Sequence, residues 1–350
     1  MKKTTFGLFA DLHYKKGMYS ATVVDLEAVL ERAKNADADF VLHCGDMCND
    51  YVGSPELINT YLNNRYGLSV YGVYGNHELE SENNSMQAVT PLLTNDKNAV
   101  WGTADGKIGD GQTAYYYIDK GDLRIICTDT NYSFNPSNGE WEHNLTCSYG
   151  PPSGNIFSNS LGPKQFEWLE KLLIASAREE KHCVIIGHAT YCKKFRGATP
   201  DADAVNNLFA RVNAMRSGTV IMAINGHYHT NHLIEDNGVV YFDMNTTRNI
   251  WWQGKSEPHY NEEHTYKCET VDENGNITGT QRKPFCDLWM SANTWFSDKP
   301  LSAVITVSDE GIEINGMEAD WAYGIRPTEL FDGSEPKVSS GQFKATFNCD

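Results

Sequence analysis

The amino-acid sequence predicts an α/β fold built on a partly parallel sheet. The N-terminal quarter alternates short apolar runs with segments of helical periodicity, in the order strand, helix, strand, helix, strand. Crossover connections of this kind make neighbouring strands parallel and place helices on the faces of the sheet. Two later apolar runs, 113–118 and 123–128, flank residues 119–122 and predict a hairpin, hence an antiparallel addition.

Each predicted element rests on a local pattern. Short apolar runs predict strands, apolar residues at helical spacing predict helices, and Pro55 suits the first turn of a helix. The predicted strands are 4–10, 40–45, 68–75, 113–118, 123–128, 184–186, 219–224, 239–242, 303–308 and 312–314. The predicted helices are 21–36, 55–66, 162–182 and 204–216.

Two long segments lack a clear pattern. Residues 131–162 are rich in Asn, Ser, Gly and Pro and show no period, and residues 253–300 are polar with scattered aromatic side chains. A long loop in a compact enzyme is often a functional surface. We expect a single domain over 1–350, with a core at about 4–250, an insertion or cap-like loops at 253–300, and C-terminal strands and a tail at 301–350.

Five predicted strands end in residues that can bind a metal ion. Setting His77 aside, the candidate ligands are Asp11, His13, Asp46, Asn76, His188, His227 and His229. In extended backbone, side chains two positions apart point to the same side, so each of the pairs at 11/13 and 227/229 could reach one ion. Glycines at 45, 75, 187 and 226 would let the backbone turn sharply after each strand.

The donor types narrow the chemistry. Carboxylate, imidazole and amide groups without thiolate suit Mn, Fe or Zn rather than a structural cysteine–zinc site. Seven ligands are too many for one tetrahedral ion and fit two ions that share a bridging carboxylate. Two ions roughly 3.5–4 Å apart are the usual device for in-line displacement at phosphorus.

The ordered motifs resemble those of the calcineurin-like metallophosphoesterases. They read Asp11-x-His13, Gly45-Asp46, Gly75-Asn76-His77-Glu78, Gly187-His188 and Gly226-His227-Tyr228-His229, within about residues 5–245. The resemblance implies a four-layer α/β/β/α sandwich of two mixed sheets flanked by helices. It also places the metal site at the C-terminal ends of the strands.

The resemblance also implies a role for each motif residue. One metal ion would be held by Asp11, His13, Asp46 and His229, and the other by Asp46, Asn76, His188 and His227. Asp46 would bridge the ions, and His77 would act as general acid or steady the phosphoryl charge. Near these motifs, Tyr14 and Asp50 are candidates for substrate contact, whereas His143 and His182 are interpreted as surface residues.

Departures from the family pattern bear on the subfamily. Purple acid phosphatases carry a Tyr ligand where this chain has Asn49, and they lack an equivalent of His13. Manganese-dependent ADP-ribose/CDP-alcohol diphosphatases are more similar, at Phe6-Gly7-x-x-Ala10-Asp11 and Gln165-x-x-Trp168-Leu169. The sequence therefore disfavours the purple acid phosphatase branch.

The expected function is hydrolysis of a small-molecule phosphomonoester, phosphodiester or diphosphate, with nucleotides among the candidates. A hydroxide held by both ions would attack phosphorus. One alternative is a non-catalytic interaction protein of the same fold, but such proteins tend to lose ligands, and all seven are present here. Another alternative is a nuclease, which the net charge of −17 and the lack of an evident basic region disfavour.

Composition adds expectations about location. No apolar run reaches the roughly 18 residues of a transmembrane helix, so no membrane association is expected. The first strand begins almost at the N-terminus, which predicts a cytoplasmic protein, or an exported one if a signal peptide has been removed. The nine cysteines include no C-x-x-C and are expected to be reduced, with a bridge among Cys147, Cys268, Cys286 and Cys349 as the alternative in an exported protein.

Overall fold

The computed structural model describes residues 1–14, 22–48, 66–79, 93–103, 113–135, 137–143, 159–195, 197–251, 258–273, 276–288, 291–327, 338 and 342–345. The helix predicted at 55–66 falls almost wholly outside these ranges. The described helices are α1 (Val23–Asn35), α2 (Gly162–Arg178) and α3 (Ala202–Met215). Short 3-10 turns occupy His77–Leu79, Phe285–Asp287 and Ala322–Gly324.

The strands of the described residues are numbered in chain order. The first eleven are β1 (Thr4–Phe9), β2 (Phe40–His43), β3 (Ser69–Gly72), β4 (Val100–Trp101), β5 (Tyr116–Lys120), β6 (Leu123–Cys127), β7 (Tyr132–Asn135), β8 (Glu140–His143), β9 (His182–Ile186), β10 (Val220–Asn225) and β11 (His232–Asp236). The others are β12 (Val239–Asp243), β13 (Asn249–Trp251), β14 (Thr265–Val271), β15 (Ile277–Pro284), β16 (Thr294–Phe296), β17 (Ala303–Ser308), β18 (Gly311–Gly316) and β19 (Gln342–Ala345).

Two mixed sheets organise the described chain. The first sheet has the order β19-β18-β17-β1-β2-β3, and the second has the order β11-β12-β10-β9-β6-β5-β4. Strands β1, β2 and β3 are parallel, as the crossover pattern predicts, and so are β6, β9, β10 and β12. The predicted hairpin is the antiparallel pair β5–β6.

The sheets and helices form four layers. The inner faces of both sheets share one apolar core, which includes Phe6, Leu42, Ile125, Ile186 and Phe242. Helix α1 packs on the outer face of the first sheet, and α2 and α3 cover the outer face of the second. This α/β/β/α arrangement confirms the predicted fold class. The carboxyl ends of β1–β3 and of β9–β10 meet at one edge of the sandwich, where hydrogen bonds join the loops that follow these strands.

Several element boundaries differ from the sequence prediction. The β5–β6 turn is confined to Gly121 and Asp122, because residues 119 and 120 stay in the ladder. Helix α2 ends at Arg178 rather than 182, and Glu180 adopts a left-handed backbone with φ 58°. Residue 182 instead begins β9, where its buried Nδ1 lies 2.7 Å from the Gly218 carbonyl oxygen. The prediction of a surface position for His182 was therefore wrong.

The segment predicted as an insertion contains an antiparallel hairpin, β14–β15. It packs with the pair β13–β16 around an aromatic cluster that includes Tyr260, Tyr266, Phe285 and Phe296.

Cys268 and Cys286, two candidates for the bridge considered above, are both free thiols. Cys44, Cys127 and Cys183 are buried free thiols, as predicted. In the described part of the chain, no helix is long and apolar enough to cross a membrane.

Gly7 permits the close approach of α1 to the first sheet. In β1, Phe6 and Leu8 point into the core between the sheets, so Gly7 faces α1. A Cβ atom added there would lie 2.7 Å from the Cβ atom of Ala33. The helix can therefore pack directly against the backbone of β1.

We predict that Gly7→Ala lowers the free energy of unfolding by roughly 1–3 kcal/mol through overpacking. Ala33→Gly should cost about 1 kcal/mol in helix propensity but remove the clashing methyl group. Urea denaturation of both single variants and the double variant measures the coupling. The double variant should lose less stability than the sum of the single losses, and strict additivity would contradict this packing account.

Candidate metal centre

The polar residues that follow five strand ends converge at one edge of the sandwich. Six of their side chains are almost completely buried, and those of Asn76 and His227 are partly buried. The residues brought together are Asp11, His13, Asp46, Asn76, His77, His188, His227 and His229. All seven candidate ligands and His77 therefore lie in one cluster.

Asp11, His13 and His229 form the first donor group. The Nε2 atoms of His13 and His229 are 2.9 Å apart. The Oδ1 atom of Asp11 lies 3.4 Å from the Nε2 atom of His229 and 3.9 Å from that of His13. Three donor atoms from distant parts of the chain thus face one point.

Asp46, Asn76, His188 and His227 form the second donor group. The Nε2 atom of His188 lies 3.0 Å from Asn76 Oδ1, 3.1 Å from His227 Nδ1 and 3.2 Å from Asp46 Oδ2. The same Asp46 Oδ2 atom lies 3.7 Å from the Nε2 atom of His13 in the first donor group. The Asp46 carboxylate therefore lies between the two groups.

The spacing and type of these donors fit metal ions. Ligand atoms held at about 2.0–2.2 Å from one ion are about 3–3.5 Å apart around it. Most of the donor–donor separations given above fall in or near that range. Three of them are the distances from His188 Nε2 to Asn76, His227 and Asp46. Imidazole, carboxylate and amide oxygen donors suit Zn, Mn and Fe. Both donor groups can therefore hold a cation.

The ligand residues themselves, rather than most of the preceding glycines, adopt the unusual backbone conformation. The residues with a left-handed backbone are Asp11 (φ 50°), His13 (φ 49°), Asp46 (φ 52°), His227 (φ 73°) and His229 (φ 53°). The expectation of extended pairs at 11/13 and 227/229 was wrong. Of the four glycines predicted to turn the chain, only Gly45 has a positive φ, at 90°. Such strain persists where the surrounding structure holds it, and it is typical of functional sites.

Backbone hydrogen bonds hold this strained conformation. The amide N–H groups of Asp11 and His13 donate to the carbonyl oxygens of Gly45 and Asp46, at 3.1 and 2.8 Å. The N–H group of His227 donates to the Asp11 carboxylate at 3.1 Å. The loops after β1, β2 and β10 are therefore bonded to one another, and their ligand side chains are fixed together.

Glu78 joins the loops after β2 and β3. Its carboxylate accepts hydrogen bonds from the backbone N–H groups of Gly75 at 2.6 Å, Asp46 at 3.0 Å and Cys48 at 3.3 Å, and also from that of Met47. Gly75 allows the close approach, because an added Cβ atom would lie 1.9 Å from Asp46 Oδ1. Glu78 thereby sets the spacing between Asp46 and the residue after Gly75, Asn76.

Burial and charge shape the protonation of the second donor group. Although burial opposes ionisation, the imidazoles of His188, His77 and His13 hold the pKa of Asp46 well below its usual value. Burial disfavours the charged form of His188, but the Asp46 carboxylate outweighs it and raises the pKa of His188 to about 10. Asp46 is therefore an ionised carboxylate at neutral pH.

Further contacts orient two of the imidazoles. His188 Nδ1 lies 2.6 Å from the carbonyl oxygen of Cys44, which directs Nε2 towards the other donors. The backbone N–H group of His77 donates to Asp46 Oδ1 at 2.9 Å. The ring Nε2 atom of His77 lies 4.0 Å from Asp46 Oδ2. His77 therefore stands beside Asp46, farther from it than His188.

The candidate substrate contacts lie elsewhere or outside the described residues. Tyr14 is 2% exposed in the cluster between the first sheet and α1, and its hydroxyl donates to Glu269 of β14 at 2.9 Å. The side chain of Tyr14 therefore connects the loop after β1 to the β14–β15 hairpin. Asp50 falls outside the described part of the chain.

A further set of polar residues near the site was not predicted from the sequence: Asp129 and Asn131 follow β6, and Asn159 lies shortly before α2. The side chain of His143 is only 13% exposed and its Nε2 atom lies 2.5 Å from Asp129 Oδ2, so the prediction that His143 is a surface residue was wrong. The side-chain amide of Asn131 donates to the carbonyl oxygen of Gly75 at 3.4 Å. Asn159 Nδ2 lies 3.4 Å from His227 Nε2. The signal that revealed the other loops, an apolar strand followed by polar residues, is also present at 123–131.

A family model described as calcineurin-like phosphoesterase matches residues 4–231. This match covers more than half of the chain, and the chain belongs to that family. The membership confirms the resemblance seen in the motifs. Together with the clustered aspartates and histidines, it defines a phosphoesterase whose hydrolysis of phosphate esters depends on metal ions.

Several solved structures are similar to this chain at low sequence identity, and the first of those named here shares its fold. A dimetal phosphatase from Danio rerio has 13% identity and a TM-score of 0.56, and the match covers 91% of this chain and 98% of that one. GAP50 from Plasmodium has 11% identity and a TM-score of 0.46, with 99% of this chain and 89% of that chain covered. A putative 5′-nucleotidase from Staphylococcus aureus has 15% identity and a TM-score of 0.41, with 81% and 54% covered. No curated protein sequence matches significantly.

We predict that Glu78→Gln weakens both folding and metal binding. The amide keeps one acceptor oxygen for four backbone donors, so buried N–H groups lose partners at roughly 1–3 kcal/mol each. Urea denaturation and manganese titration should show a less stable protein with lower affinity. Glu31→Gln, an exposed change on α1, is the matched control and should behave as wild type. Unchanged manganese affinity in Glu78→Gln would contradict the role given to Glu78.

Proposed function

We propose that this chain hydrolyses a phosphate ester of a small molecule, which can be a monoester, a diester or a diphosphate, with nucleotides among the candidates. The observation that carries the proposal is the position of Asp46 Oδ2, which lies within 3.7 Å of donors from both groups. One carboxylate oxygen shared between two sets of donors suits a pair of neighbouring ions.

Each donor group would hold one ion. The first ion would be bound by Asp11, His13, Asp46 and His229, and the second by Asp46, Asn76, His188 and His227. The donor set suits Mn, Fe or Zn, as divalent or trivalent ions. When bound, the ions supply Lewis acidity that activates water and offsets charge on the phosphoryl oxygens.

The chain's own residues would orient the substrate and move the proton. The Asn76 carboxamide, with Oδ1 directed to His188, has an NH₂ group that can donate to a phosphoryl oxygen. His77 stands beside Asp46 but outside the closest donor contacts, so its imidazole can give a proton to the leaving oxygen. An imidazole is the natural proton donor near neutral pH.

The alternatives account for fewer observations. A catalytically silent interaction protein would not require seven metal-ligand side chains in two groups, five of them on residues with a left-handed backbone. A nuclease acting on long nucleic acid is disfavoured by the net charge of −17. Small phosphate esters therefore remain the preferred substrates.

We predict that Mn²⁺ or another divalent metal ion activates hydrolysis of p-nitrophenyl phosphate or bis-p-nitrophenyl phosphate, because both donor groups are intact. The release of p-nitrophenol measures the rate. Exhaustive chelation should abolish the activity, and adding the metal back should restore it. Activity that survives exhaustive chelation would contradict the proposed function.

We predict that His77→Ala retains both metal ions and loses about 10²–10⁴-fold in turnover, because the proton donor is removed. Metal analysis and steady-state kinetics measure the two effects separately. His259→Ala is the control, since that ring stacks on Trp295, with a 4.4 Å centroid separation, in a different part of the fold. Loss of a metal ion in His77→Ala would show that His77 is a ligand instead.

A further inference from the structure

The hairpin β7–β8 is attached to the metal centre at its base. Just before β7, the side-chain amide of Asn131 donates to the carbonyl oxygen of Gly75, which precedes Asn76. The hydroxyl oxygen of Thr130 accepts from the backbone N–H group of Ala189, which follows His188. The base of the hairpin therefore contacts the loops that carry two members of the second donor group.

A third link reaches His227. The backbone of Tyr132, the first residue of β7, exchanges two hydrogen bonds with Ser160, at 3.1 and 3.0 Å. The neighbouring side chain of Asn159 lies 3.4 Å from His227 Nε2. The hairpin and residues 159–160 thus form one wall beside the second donor group.

The two faces of the hairpin differ in character. In the register Tyr132–His143 and Phe134–Trp141, all four rings lie on one face, because side chains alternate along a strand. The ring centroids are 4.8 Å apart in the first pair and 5.9 Å apart in the second. The other face is polar: Asn135 donates to both oxygens of Glu142 at 3.0 Å.

The ring-bearing face is buried at its base and exposed at its tip. His143 is fixed by Asp129 at 2.5 Å, whereas Phe134 is 47% exposed and Trp141 is 42% exposed. Among the described residues, the other large exposed apolar side chains are Met215 and Tyr323, and these two do not form such a pair. A pair of exposed rings continuous with the wall of a catalytic site is suited to stack on a planar ring.

We propose that Phe134 and Trp141 form a subsite for the nucleobase of a nucleotide substrate. This inference rests on the proposed function and specifies its substrate class. The occupant is a single planar ring rather than an anionic polymer or membrane, because the opposite face carries Glu140 and Glu142 and the whole chain has a charge of −17. The planes of the two rings are inclined at 58°, so the base would stack on one ring and contact the edge of the other while the phosphate reaches the second donor group.

The test compares two ligands that differ only by the base. Because the active chain would hydrolyse these ligands, the titration uses the full chain with His77→Ala, which should keep both manganese ions and lose most of its turnover. Isothermal titration of this manganese-loaded background measures the affinities of AMP and ribose 5-phosphate, and each further substitution is made in it. AMP should bind about tenfold tighter or more, as expected for a ring–base stacking contact. Phe134→Ala and Trp141→Ala should abolish this preference without changing the affinity for ribose 5-phosphate, whereas Trp141→Phe should retain most of it.

Met215→Ala is the matched control, since this side chain is 52% exposed at the end of α3, and it should keep the preference for AMP. Equal affinities for the two ligands in the His77→Ala background, including failure of both to bind, would overturn the subsite. A preference for AMP that survives both alanine variants would also overturn it, as would a dimer that Trp141→Ala dissociates. Metal-dependent hydrolysis of p-nitrophenyl phosphate, measured in parallel, shows separately whether the proposed function holds.

Discussion

The geometry of the candidate metal centre depends on the carboxylate of Glu78. This carboxylate accepts hydrogen bonds from four backbone N–H groups in two loops. The donors are the N–H groups of Gly75, Asp46, Met47 and Cys48. The carboxyl group of Glu78 is buried, and burial together with the nearby Asp46 carboxylate raises its pKa to about 7. The hydrogen bonds from the backbone favour the ionised form, in which both oxygen atoms accept. The carboxylate therefore fixes how far the loop after β2 lies from the loop after β3. Without that spacing, Asp46 and Asn76 would not share a donor group.

The fold supplies the second constraint, which is the meeting of two sheets at one edge. The first sheet contributes the loops after β1, β2 and β3, and the second contributes those after β9 and β10. Their ligand residues take up left-handed backbone that costs of order 1–2 kcal/mol per residue. The hydrogen bond from His13 to Asp46 and that from His227 to Asp11 join the loops and offset this cost. The strained backbone lowers the free energy of unfolding, but it holds the donor atoms in a fixed geometry.

Much of this architecture could be predicted from the sequence because apolar runs mark buried strands, and polar residues directly after them mark the functional edge. That reasoning gave the parallel strands, the β5–β6 hairpin and the convergence of the donors. It missed the loop at Asp129 although the same pattern was present there. It also missed the β7–β8 hairpin, because the Asn, Ser, Gly and Pro content of residues 131–162 obscured the alternation of Tyr132 and Phe134 along one strand.

Other features could not be predicted because they depend on tertiary contacts. The donors that Glu78 satisfies at Asp46, Met47 and Cys48 are 30 to 32 residues away in the chain, so local sequence gives no sign of them. Asp and His enter the left-handed region more readily than most residues, but at Asp11 and His13 this conformation is fixed by hydrogen bonds to the loop after β2. The burial of His182 follows from its position at the start of an interior strand.

We expect Asp46 to lie between two metal ions. Anomalous diffraction from crystals grown with Mn²⁺ tests this arrangement most directly. Two anomalous peaks should appear roughly 3.5–4 Å apart, one at each donor group, with the Asp46 carboxylate between them. A single peak, or peaks that do not contact Asp46, would contradict it.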